Sequence, residues 1–146
     1  MPGYRPDSGP LSTPIRFTQP PAEHLAYLAA WRQQRAQTLA NELEELKALL
    51  TRMAAEHGLP VTFDAPTSTV EGGRMTVVAH IAGATLRIHQ PETFMTQYGP
   101  SYSLGTIDCS YYGKPVCHEH FLSQDAELIF HGVLQALLPR LPHGAP

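Results

Sequence analysis

The stretch from Glu23 to His57 constrains this chain more than any other feature, because it reads as one helix of unusual length. It contains no Gly and no Pro and is rich in Ala, Leu, Glu, Gln and Arg, which lose little on entering a helix. Pro20 and Pro21 suit a first helical turn, Gly58 offers a left-handed cap, and Pro60 blocks continuation. At about 1.5 Å per residue the helix runs to roughly 50 Å, whereas a compact chain of this length has a radius of gyration of about 15 Å. Such a helix has to overhang, bend, or lie against a second copy.

In its second half Ala36, Leu39, Leu43, Leu46, Leu50 and Met53 recur at spacings of three and four, with Glu42, Glu44, Glu45, Lys47 and Arg52 off that line. This seam assigns Leu39, Leu43, Leu46, Leu50 and Met53 to the contact of a homodimer. Replacing Leu43 and Leu46 by Glu should then separate the subunits and leave the rest folded. In the first half Leu25, Leu28 and Trp31 form a second apolar patch on a rotated face, with Trp31 as an anchor for a partner. The competing expectation is that both patches cover a sheet of their own chain.

After Pro60 the apolar residues alternate with period two. Val61 to Asp64 reads as a short strand and Ala65 to Gly73 as a loop. Arg74 to Ala82 and Thr85 to Gln90 form a β-hairpin turning at Gly83-Ala84, which sets Ile81 opposite Leu86 and Ala79 opposite Ile88. Met75, Val77, Ala79, Ile81, Leu86 and Ile88 take the core face. Thr76, Val78, His80, Thr85, Arg87 and His89 take the other. Pro91 to Pro100 fits a short helix or a strand. Ser101 to Tyr112 favours β structure, and Gly113-Lys114-Pro115 turns into a strand from Val116 to His120.

A final helix is capped by Ser123, ended by Pro139, and striped by Phe130, Val133, Leu134, Leu137 and Leu138. The fold class implied is α+β: a long N-terminal helix, an antiparallel sheet of four or five strands and a C-terminal helix, in two layers. This single domain covers residues 19–142, between a disordered Pro-rich tail at 1–18 and a short tail at 143–146.

A hydrophobic fraction of 42% with 16% charged residues fits a soluble protein. The longest apolar run, Leu25 to Trp31, is far short of a membrane span, and prolines interrupt any signal-peptide pattern. Two cysteines make no disulfide scaffold, so the expected compartment is the cytoplasm with both thiols reduced. A net charge of −3, with scattered basic residues, supplies no face for nucleic acid. The order of helix, strands and helix has the outline of a double-stranded RNA-binding domain. That domain carries a basic cluster on its second helix, and Gln124 to Leu138 holds no Lys or Arg, which excludes the reading.

The densest reactive group is Asp108, Cys109, Cys117, His118, Glu119 and His120. Cys109, Cys117, His118 and His120 are the candidate zinc ligands, since Zn²⁺ accepts both thiolate and imidazole. The spacing C-x7-C-H-x-H matches no usual finger, and in a strand Cys117 and His118 point to opposite faces. A cysteine nucleophile with a histidine base would further need a lowered thiol pKa. Phosphate-loop, dinucleotide, nucleophile-elbow and H-E-x-x-H motifs are absent.

No cofactor is therefore expected, and a zinc- or thiol-dependent enzyme on the Cys109–His120 hairpin is the alternative. The favoured reading is a non-enzymatic binding, adaptor or regulatory protein that works as a homodimer on a protein partner. Its candidate surface joins His80, Arg87 and His89, on one sheet face, with Tyr98 and Tyr102 beside the Gly99-Pro100 turn.

Overall fold

The computed structural model describes residues 21–68 and 74–142. The segments expected to be tails, 1–18 and 143–146, lie outside these residues. The chain divides into two units, Met1–Gln33 and Gln34–Pro146, with the boundary inside the first helix.

Helix α1 runs from Ala22 to Ala55, close to the bounds its composition sets. It ends as Gly58 requires. Gly58 has φ +72°, its N–H donates to the Ala55 carbonyl at 2.9 Å, and the Leu59 N–H reaches back to Ala54 at 3.0 Å. Those two bonds close a Schellman motif and turn Leu59 into the core.

In the first unit every helical residue from Ala22 to Gln33 is exposed except Leu28, which is half-buried. The second unit holds the rest of α1, all the strands and the second helix. Strands β1 (Thr62–Phe63) and β2 (Thr67–Ser68) both pair with β3 (Met75–Ile81) along its outer edge. Beyond β3 come β4 (Ala84–His89), β7 (Gly105–Tyr111) and β8 (Lys114–Phe121), so that the sheet path is β1-β3-β4-β7-β8, antiparallel throughout. Strands β5 (Glu92–Thr96) and β6 (Gly99–Ser103) form a separate two-stranded ribbon. The segment expected to be a loop, Ala65 to Gly73, thus contains β2, and the ambiguous segment before Pro100 resolves as strand.

The β3–β4 hairpin turns one residue earlier than its glycine suggested. Ala82 and Gly83 are the two turn residues, both with positive φ, at +49° and +91°. This matches a type I′ turn, whose twist suits flanking strands, in place of the type II′ turn expected. Ile81 therefore faces Ala84, and Ala79 faces Leu86, a shift of two positions. Because side chains alternate with period two, an even shift leaves both faces as expected. The same turn recurs at Tyr112 (φ +50°) and Gly113 (φ +81°), between β7 and β8. The two tips touch: the Tyr112 ring lies where a Cβ on Gly83 would come within 2.8 Å, so Gly83 is fixed by space as well as by φ.

Helix α2 (Ala126–Leu137) follows a 3₁₀ turn at Ser123–Asp125, which places Asp125, not Ser123, at its N-cap position. A second 3₁₀ turn at Leu138–Arg140 contains Pro139. The core lies between one sheet face and two helices. Val77, Ala79, Ile81, Leu86, Ile88 and Ile107 meet Phe130, Val133, Leu134 and Leu137 of α2 and Leu43, Leu50 and Met53 of α1. Each such buried Val, Leu, Ile, Phe or Met side chain contributes about 1.5–3 kcal/mol of hydrophobic free energy.

The seam faces the core of its own chain. Leu39, Leu43, Leu50 and Met53 are buried within the chain, and Leu46 packs half-buried against the same core. Their periodicity marks an apolar face, but the sheet of the same chain already covers it.

Candidate functional site

With both helices on one face, alternation sends the other side chains of β3, β4, β7 and β8 outward. The register brings three rows of that face together. Thr76, His89, Thr106 and His120 form one; Val78, Arg87, Asp108 and His118 form the next; His80, Thr85, Ser110 and Pro115 form the third. A β-bulge at Val116, where the β7–β8 register slips by one, bends the strand beside the third row. The depression here, about 380 Å³, is lined by Thr85, Arg87, Asp108, Ser110, Pro115 and His118 among others.

The polar groups on this face hold one another. His80 Nε2 lies 3.1 Å from Asp64 Oδ2, and His89 Nδ1 lies 2.9 Å from the Thr76 hydroxyl. His118 Nδ1 bonds to the Asp108 carboxylate, and its Nε2 lies 3.4 Å from Nε2 of His120. Burial holds the His89 pKa below its ordinary value, with the Arg74 charge acting in the same direction. His80 and Arg87 are not cross-strand partners, as the expected turn at Gly83-Ala84 would make them: Arg87 faces Val78 on one side and Asp108 on the other.

The candidate zinc ligands divide between the two faces. Cys109 and Cys117 sit directly opposite each other on the helix-covered side, Cys109 buried and Cys117 half-buried. His118 and His120 point outward. The four do not converge, because adjacent strand residues alternate. Among the described residues no group of three or more His, Cys, Asp and Glu is arranged to hold a metal ion. Nor is the thiol environment that of a nucleophile. Burial, followed by the facing Cys117, pushes Cys109 up to about 12, and burial with Glu119 nearby also raises Cys117.

The ribbon carries the aromatic part of the predicted surface. Its pairs, from Glu92 opposite Ser103 to Thr96 opposite Gly99, continue the β4–β7 register past the break at Gln90-Pro91. At its base Arg35 of α1 forms an ion pair with the buried Glu92 and stands 5.5 Å from the Phe94 ring centroid. Beyond that base Met95, Tyr98 and Tyr102 are exposed, with Tyr98 at 91%, and Leu104, between β6 and β7, is exposed as well. Tyr98 occupies the turn, fastened by its N–H to the Thr96 hydroxyl at 3.1 Å. Trp31 belongs to the first unit and is 47% exposed.

Sequence reasoning missed Asp108 as the partner of His118 and Met95 as part of the ribbon surface. The cross-strand register that joins Asp108 to His118 depends on the β7–β8 turn, which lies at Tyr112-Gly113 and not at the expected Gly113-Lys114-Pro115. Comparison with protein-family models, curated proteins and solved structures gave no significant match. No described helix is long and apolar enough to cross a membrane.

Proposed function

We propose that this chain is a non-enzymatic binding module that acts as a homodimer, with the self-contact on the first turns of α1 and a protein partner on the β5–β6 ribbon. One observation carries the reading. Of the nine large apolar side chains exposed among the described residues, seven fall in two short segments: Leu25, Tyr27 and Trp31, then Met95, Tyr98, Tyr102 and Leu104. Scattered exposed apolar residues need no explanation, but clustered ones mark surfaces that become covered. A helix face with Leu25, Leu28 and Trp31 at helical spacing suits a second copy of itself across a two-fold axis. Tyrosines on a stapled ribbon offer rigid area with polar tips, which suits a protein surface.

The two free thiols fit a reducing compartment, and we assign the protein to the cytoplasm on that ground. The thiol-enzyme alternative is disfavoured by the raised pKa values of both cysteines.

Sedimentation velocity tests the dimer. Wild-type protein should sediment as two chains, and Leu25→Glu with Trp31→Glu as one chain with unchanged far-UV dichroism. A wild-type monomer, or a dimer indifferent to both substitutions, overturns the proposal.

A further inference from the structure

The outward pair of histidines on β8 has a geometry that neither the binding surface nor the fold requires. His118 and His120 are two residues apart on a strand, so both project from one face, and their Nε2 atoms lie 3.4 Å apart. A hydrogen bond between two ring nitrogens would draw them to about 3 Å. Two nitrogens that each bind one tetrahedral metal at about 2.0–2.1 Å stand roughly 3.3 Å apart. The observed spacing is that of two ligands around a shared point. The rings are nearly perpendicular, at 85°, so they do not stack over each other.

A second observation bears on the same atoms. The Asp108 carboxylate accepts a hydrogen bond from His118 Nδ1, which leaves the Nε2 lone pair of His118 free to bind a cation. A carboxylate behind a histidine is the recurrent outer partner of a metal-bound imidazole, because it fixes the tautomer and raises the ligand's basicity. Asp108 is delivered by register, since β7 and β8 place it directly across from His118. Arg87 faces Asp108 from β4, on the side away from His118. Asp108 and His118 are both about half exposed, which leaves the pair open to ions from solution.

We propose that His118 and His120 form a binding site for a borderline divalent cation of the Zn²⁺ type, with Asp108 as the positioning residue. The protein supplies two imidazole ligands, and water or a donor from outside the chain completes the tetrahedron. Imidazole suits Zn²⁺, Ni²⁺ and Cu²⁺, while Mg²⁺ and Ca²⁺ prefer oxygen ligands and are rejected. The cysteines take no part, because they face the helices.

The test is calorimetric titration of the full chain with zinc chloride near neutral pH, with magnesium chloride as the control. Wild type should bind one Zn²⁺ per chain and no Mg²⁺. His118→Ala and His120→Ala should each weaken Zn²⁺ at least about tenfold, and Asp108→Asn by about 10–100-fold. Cys117→Ser should change nothing. Nitrogen NMR of the histidine rings adds a readout independent of variant folding: Zn²⁺ should shift Nε2 of His118 and His120 in wild type. In Asp108→Asn, without Zn²⁺, His118 should lose its single tautomer, which a merely structural carboxylate would not affect. Absent Zn²⁺ binding, binding unchanged in either histidine variant, shifts at other histidines only, or loss of binding in Cys117→Ser would each overturn the proposal.

Discussion

The side-chain amide of Gln90 donates a hydrogen bond of 2.6 Å to the main-chain carbonyl of Leu39, 51 residues away. Gln90 is fully buried, and its Oε1 also accepts from the Met75 N–H at 3.1 Å. One side chain thus fastens the middle of α1 to the end of the β3–β4 hairpin, at the point where the β4–β7 ladder gives way to the ribbon. Buried polar groups are tolerable when each finds a partner, and this one does.

Gln90→Leu removes both side-chain bonds and leaves the Met75 N–H without that acceptor. The expected cost is about 1–3 kcal/mol of stability, the penalty of a part-buried donor left unmade. Urea unfolding of the variant against wild type measures it. An unchanged midpoint would mean that the tie contributes nothing.

Leu43 shows where the seam belongs. It is 2% exposed and sits in the core, so Leu43→Ala should cost about 2–5 kcal/mol. The pair Leu43→Glu with Leu46→Glu, which the spacing alone says would separate two folded subunits, should instead unfold the second unit. Far-UV dichroism distinguishes the outcomes directly.

Those two residues also mark how far the sequence could be followed. Periodicity identified the apolar face of α1 from Leu39 to Met53, although Ala36 is exposed and Ala54 is buried, but a heptad spacing is the same whether a sheet or a second helix covers it. The two faces of the β3–β4 hairpin were legible although the turn was placed one residue late. Their parity survived a shift of two, while the opposition of His80 to Arg87 did not. The turn itself was hidden because Ala82 adopts a positive φ that alanine rarely takes. The ribbon was obscured by Pro91, Gly99 and Pro100, which lower strand propensity where the register nonetheless continues. On the candidate site, alternation correctly separated Cys117 from His118. Asp108 could not be joined to His118 without knowing the β7–β8 turn.

Cys109 predicts a pH dependence. Burial lifts its thiol from an ordinary 9.0 to about 12, so the folded state holds its proton more tightly than the unfolded chain. Stability from this group is complete below about pH 9 and declines as pH rises towards 12. Unfolding measured across that range should fall more steeply for wild type than for Cys109→Ala. Identical slopes would contradict the assignment. At mildly alkaline pH iodoacetamide should modify the half-buried Cys117 before Cys109.

Self-association through the first turns of α1 has a built-in probe, since Trp31 is the chain's single tryptophan. The most direct measurement follows Trp31 emission over a dilution series while light scattering records the mass. A dimer joined at Trp31 predicts twice the 16.0 kDa chain mass at high concentration, with blue-shifted emission. It further predicts that any loss of mass on dilution brings a red shift at the same midpoint. A mass of one chain at every concentration, or a dimer whose dissociation leaves Trp31 emission unchanged, would contradict it.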